Sequence, residues 1–95
     1  MQIGIAGTGA VGLKVAEALA QNVIPGCELS GIAARTPERE RETAAVLSAP
    51  VRFMSFDDLA DRCELVVEAL PPALFEALAR PVLKKGKLLV VLSAS

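Results

Sequence analysis

Three glycines near the N-terminus, Gly7, Gly9 and Gly12 in IGIAGTGAVG, constrain this chain more than any other feature. They form Gly-x-Gly-x-x-Gly, a pattern that is weak alone and gains meaning from its neighbours. Gln2 to Ala6 before it reads as a short, mostly apolar strand. From Ala10 to Asn22 after it, Val11, Val15, Ala18 and Leu19 recur at helical spacing, with Lys14, Glu17 and Gln21 on the other side. In a strand–turn–helix unit each glycine has its own task. Gly7 permits a tight turn where a Cβ would be strained. Gly9 lets the backbone come close to a pyrophosphate, and Gly12 lets the new helix pack against the sheet. The free N–H groups and positive dipole end of that helix would then face the phosphates.

The second strand, about Glu28 to Ala34, ends in IAART. Dinucleotide sites that select NAD place an Asp or Glu about 20 residues beyond the glycines, on the adenosine ribose. Here no acid stands at that tip, and Arg35 does. A guanidinium can pair with a 2′-phosphate and stack on adenine, whereas a carboxylate would repel that phosphate. The expected cofactor is therefore NADP or NAD, with NADP slightly favoured. Thr36 either adds a hydroxyl donor or caps the helix that starts at Pro37, and the two roles are compatible.

Helices and strands alternate along the remainder. Pro37 to about Ser48 is a helix whose opening PERERE reads as a solvated face. A third strand is expected around Val51 to Met54. Ser55 to Asp58 is a capping-box variant starting a short helix through about Leu59. Leu65 to Leu70 forms a fourth, apolar strand that breaks at Pro71-Pro72. The following helix should reach about Lys85 and be bent or split by Pro81. Gly86 stops it, and Lys87 to Leu92 is the fifth strand. Five short strands with helical crossovers imply a Rossmann-like, doubly wound parallel α/β sheet of order 3-2-1-4-5 in a single domain.

Such sheets collect ligands at the carboxyl ends of their strands. That rim holds Gly7 to Gly12, Arg35, Leu70 to Pro72 and Ser93 to Ser95. Ala69 and Leu70 would lie beneath the nicotinamide-side ribose, Pro71 leaves a wall without an N–H donor, and Ser93 can offer a hydroxyl near the nicotinamide. The LPP turn is equally readable as a device that starts the helix.

With 10 basic and 11 acidic residues, three Phe and no Trp or Tyr, nothing favours nucleic acid or an anionic membrane. The N-terminus lacks the pattern of a signal peptide, and Leu88 to Leu92 is far too short to cross a bilayer. A cytoplasmic protein is the expectation. Absence of histidine removes any histidine base, imidazole ligand or Ser/His/Asp set, and no metal site is expected. Cys27 and Cys63 would precede strands two spacings apart, roughly 10 Å at about 4.8 Å each, so free thiols are expected.

Three stretches, IGIAGTGAVG, LVVEALPPALFEALARPVLKKGK and LLVVLSAS, resemble the N-terminal domain of the L-aspartate dehydrogenase family. The resemblance implies NAD(P)-dependent oxidation of L-aspartate to iminoaspartate, which hydrolyses to oxaloacetate and ammonia. It matches Gly7, Gly9, Ala10, Val11 and Gly12 to the pyrophosphate loop and Arg35 to the ribose-phosphate position. Ala69, Leu70 and Ser93 match the rim near the nicotinamide. The family carries its catalytic histidine in a second, substrate-binding domain beyond this length, so these residues are expected to hold the cofactor without turnover. An apolar last strand leaves an open edge, from which a homo-oligomer is expected. The other readings are a dinucleotide-sensing or assembly module and, weakened by the missing ribose-binding acid, a methyltransferase.

Overall fold

The computed structural model describes residues 1–93, as alternating strands and helices. In chain order they are β1 (Gln2–Ala6), α1 (Ala10–Ala20), β2 (Glu28–Ala33), α2 (Pro37–Val46), α3 (Phe56–Arg62), β3 (Leu65–Glu68), α4 (Pro72–Lys84) and β4 (Leu88–Val91). All strand pairs are parallel and the order is β2-β1-β3-β4. This is the expected doubly wound α/β class, with one strand fewer.

The missing strand is the expected third one. Val51 to Met54 does run beside β2, but meets it through a single parallel bridge between Phe53 and Ile32. The Ile32 N–H donates to the Arg52 carbonyl and the Met54 N–H to the Ile32 carbonyl, each at 2.9 Å. Pro50 has no N–H with which to extend that pairing upstream, and Ser55 already caps α3 downstream. The 3-2-1-4-5 order is thus kept in outline, with its outermost member reduced to a bridge.

Two apolar clusters fill the two faces of the sheet. Ile3, Ile5, Ile32 and Val67 pack with Ala16 and Leu19 of α1. Val66, Ala6 and Ala33 pack with Leu59, Ala60 and Cys63 of the α3 region and Leu78 and Val82 of α4. Neighbouring residues Val66 and Val67 point to opposite faces, the period-two alternation of a strand covered on both sides. Cys63 is buried and Cys27 half-buried, and both are free thiols.

α4 continues through Pro81 instead of splitting there. Pro81 removes one helical hydrogen bond, but Leu78, Ala79 and Val82 around it are buried against the sheet. Burial of a side chain of that size contributes about 1.5–3 kcal/mol, enough in sum to offset one interrupted bond of about 3 kcal/mol. The DDLADR acids lie on the helix surface: Asp57 and Asp58 fill the first turn of α3, and Asp61 pairs with Lys85.

Candidate functional site

Strand register builds the site. Ala33, Ala6, Glu68 and Val91 stand side by side across the sheet. Whatever follows them therefore emerges along one rim: Arg35 after β2, Gly7 after β1, Ala69 to Pro71 after β3, and Ser93 after β4. Ser95, the other serine expected on the rim, lies outside the described residues.

At the centre, β1 and β3 come so close that side chains are excluded. Gly7 has φ +101°, and a Cβ there would stand 2.2 Å from the Ala69 carbonyl oxygen. A Cβ on Gly12 would stand 2.4 Å from the Gly7 carbonyl oxygen, so α1 rests directly on the turn that precedes it. Gly9 differs: a Cβ there would meet nothing within 4 Å. Packing excludes a side chain at Gly7 and Gly12 and leaves the space above Gly9 open. Gly9 is the N-cap of α1 and no side chain caps that end. The first N–H groups of the helix, at Ala10, Val11 and Gly12, therefore have no partner within it.

A cleft of about 500 Å³ opens above this loop, lined by Gly7, Thr8, Gly9, Arg35, Thr36, Arg39, Ala69, Leu70 and Pro71. Seven of the residues singled out in the sequence meet there: Gly7, Gly9, Arg35, Thr36, Ala69, Leu70 and Pro71. Ala10, Val11 and Gly12 lie behind it on α1, and Ser93 lies one strand to the side. No acid lines the cleft, and its two charges are guanidiniums. Thr36 does cap α2, its Oγ1 accepting from the Arg39 N–H at 3.1 Å; the hydroxyl hydrogen remains free to donate. Pro71 is the N-cap position of α4 and Pro72 its first residue.

Two features escaped the sequence reading. Arg39 belongs to the PERERE run, read as a solvated face, yet its Nη2 donates to the Thr8 carbonyl at 2.7 Å. It ties the first turn of α2 to the glycine loop and brings a second positive charge to the cleft. A second cavity of about 360 Å³ adjoins the first, sharing Arg35 and Leu70 and lined also by Ala33, Ala34, Met54, Ser55, Phe56 and Leu74. Met54 ends the expected third strand, and Ser55 and Phe56 begin α3; none of the three was singled out as a site residue.

Open space over Gly9 and an uncapped helix start fit the pyrophosphate of a dinucleotide, and two guanidiniums without a competing acid keep the cleft positive. Fold and rim together place the molecule in the class of Rossmann-like α/β domains. More narrowly, the chain belongs to the homoserine dehydrogenase NAD-binding domain family, whose profile matches residues 7–95. It is 37% identical over 91 residues to L-aspartate dehydrogenase 3 of Bordetella bronchiseptica, covering 96% of this chain and 34% of that protein. It is 34% identical over 93 residues to L-aspartate dehydrogenase of Bradyrhizobium diazoefficiens, covering 98% of this chain and 32% of that one. The chain thus spans about a third of the length of the curated relatives it matches. Among solved structures, a biliverdin reductase from Synechocystis, in complex with biliverdin and NADP+, superposes with a TM-score of 0.81. It is 25% identical, and the match covers 95% of this chain and 28% of that one. No helix among the described residues is long and apolar enough to cross a membrane.

Proposed function

We propose that this chain is the cofactor-binding domain of an L-aspartate dehydrogenase that prefers NADP to NAD. The observation that carries the preference is the convergence of Arg35, Thr36 and Arg39 on the glycine-loop cleft, with no acid in its lining. The pyrophosphate lies over Gly7 and Gly9 against the start of α1, at Ala10, Val11 and Gly12. The 2′-phosphate pairs with Arg35 and accepts from the Thr36 hydroxyl, with Arg39 adding charge from the α2 side. Adenine fills the adjoining cavity between Arg35 and the apolar side chains Met54, Phe56 and Leu74. Across the rim the nicotinamide ribose rests on Ala69, Leu70 and Pro71, with Ser93 beyond. When bound, the nicotinamide supplies the hydride chemistry; these residues supply binding and orientation.

The substrate assignment draws on the two aspartate dehydrogenase relatives. L-aspartate-dependent formation of NADPH by a longer chain carrying these residues tests it, and absence of turnover with aspartate would contradict it. A homo-oligomer joined through β4 is part of the same proposal, since Leu88, Val90 and Val91 of that strand are exposed.

Titration with NADPH and NADH side by side tests the preference. A charge-assisted contact of about 1.5–3 kcal/mol makes NADPH the tighter ligand by roughly 10- to 150-fold. Arg35→Ala should remove most of that ratio: the lost adenine contact weakens NADPH and NADH alike, whereas the lost 2′-phosphate contact weakens NADPH alone. An unaltered ratio in the variant would overturn the role given to Arg35.

A further inference from the structure

Glu68 is the last residue of β3, and its side chain is completely buried. A buried carboxylate needs partners for its oxygens, because burying a charge without them is costly. No Lys or Arg pairs with it among the described residues. Instead its Oε2 accepts from the Leu70 backbone N–H at 2.8 Å. Its Oε1 accepts from the Ser93 hydroxyl at 2.7 Å. One side chain thus joins the turn after β3, which lines the cleft, to the residue that follows β4.

The polarity of these bonds has a consequence at Ser93. A backbone N–H can only donate, so Oε2 must be an acceptor. The carboxylate also leaves the Ser93 hydroxyl no choice but to donate its hydrogen to Oε1. What Ser93 then turns outward, on the exposed carboxyl edge of the sheet, is an oxygen with lone pairs and no hydrogen. The sequence suggested that Ser93 offers a hydroxyl; with its hydrogen committed to Glu68, it offers an acceptor.

We propose that Glu68 is a positioning residue that fixes Ser93 as a hydrogen-bond acceptor for the carboxamide N–H group of the nicotinamide. This rests on the dinucleotide reading above. β4 lies one strand spacing, about 4.8 Å, beyond the β3 end proposed above to support the ribose, on the side away from Arg35. The carboxamide is also the group there with an N–H to give, whereas a ribose hydroxyl can donate or accept and needs no fixed polarity.

Glu68→Gln keeps the shape and reverses the sign. The oxygen of the introduced amide must face the Leu70 N–H, because its nitrogen cannot accept; that nitrogen then donates to Ser93. The Ser93 hydroxyl hydrogen is freed to point outward, against the carboxamide N–H. The experiment is calorimetric titration of this chain, Glu68→Gln and Ser93→Ala with NADPH and with its 3-acetylpyridine analogue, which replaces the carboxamide NH2 by a methyl group. The parent should bind NADPH roughly 2- to 12-fold more tightly than the analogue, the span of one neutral hydrogen bond. In Ser93→Ala that ratio should fall to about one, and in Glu68→Gln likewise to about one, because the freed hydroxyl donates equally to the carbonyl oxygen that both ligands carry. A purely structural role for Glu68 would weaken both ligands together and leave the ratio intact. Should Glu68→Gln fail to fold, exposed Ser93→Ala still decides. Equal affinities in the parent, or a ratio unchanged in Ser93→Ala, overturn the proposal while dinucleotide binding stands. Failure of the parent to bind either ligand overturns both.

Discussion

Replacing Gly7 and Gly9 in turn by alanine separates what the first glycines do for the fold from what they do for the ligand. At Gly7 the new Cβ meets two costs. Its φ of +101° is foreign to alanine, a conformational cost of about 1–2 kcal/mol. The Ala69 carbonyl oxygen, 2.2 Å from the Cβ position, must also retreat, and forcing a packed backbone apart by roughly 1 Å costs about 1–3 kcal/mol more. The total, about 2–5 kcal/mol, is a large part of the roughly 5–14 kcal/mol expected for a domain of this size. At Gly9 the Cβ points into open space and the residue is an ordinary N-cap in extended conformation. Alanine caps less well by about 0.5–1 kcal/mol, and restricting the unfolded chain returns about 0.4–1 kcal/mol. The two nearly cancel. Thermal melts followed by circular dichroism should therefore show Gly7→Ala melting lower by about 8 °C or more, and Gly9→Ala within a few degrees of the parent. NADPH affinity should fall roughly 5- to 150-fold in Gly9→Ala, because the methyl group occupies the space proposed for the pyrophosphate. A Gly7→Ala protein that melts within about 3 °C of the parent would refute the steric reasoning. A Gly9→Ala protein with full NADPH affinity would refute the placement of the phosphates.

The two thiols should differ sharply. Cys63 is fully buried, and loss of solvation pushes its thiol above the ordinary 9.0, against a smaller opposing pull from Lys87. Iodoacetamide at neutral pH should label half-buried Cys27 and spare Cys63 until denaturant is added; equal labelling of the native chain, read by peptide mass spectrometry, would contradict the packing of α3 on the sheet. Because the folded value is raised, the unfolded thiol ionises first, so the stability linked to Cys63 is whole below pH 9.0 and declines as the pH rises through the folded value. Light scattering at high concentration should give a mass above the 9.9 kDa of one chain. Lysine at both Leu88 and Val90, two residues apart on one exposed face of β4, should shift it toward the monomer; a monomeric parent would overturn the association proposed through β4.

What could be read from the sequence was local. The glycine turn, the Thr36 and Ser55 caps and the apolar strands each carry their signal within a few residues, and all are present in the fold. The readings that failed depended on distant partners. Whether Val51 to Met54 becomes a strand is decided by how much of β2 it can pair with, and it finds only Ile32. Of the bend or split expected at Pro81, the split is absent, because Leu78 and Val82 hold both parts of α4 in one apolar cluster. In the same way Arg39 is one charge in a charged run until α2 is placed beside Thr8. Glu68 looks like an odd polar member of LVVEAL until Ser93, far along the chain, closes over it.

A crystal structure of this chain with NADPH tests the account at its centre. The pyrophosphate should lie over Gly7 and Gly9 at the start of α1, and the 2′-phosphate within hydrogen-bond distance of the Arg35 guanidinium and the Thr36 hydroxyl. A dinucleotide bound away from the glycine loop, or a 2′-phosphate turned to solvent with Arg35 disengaged, would contradict it.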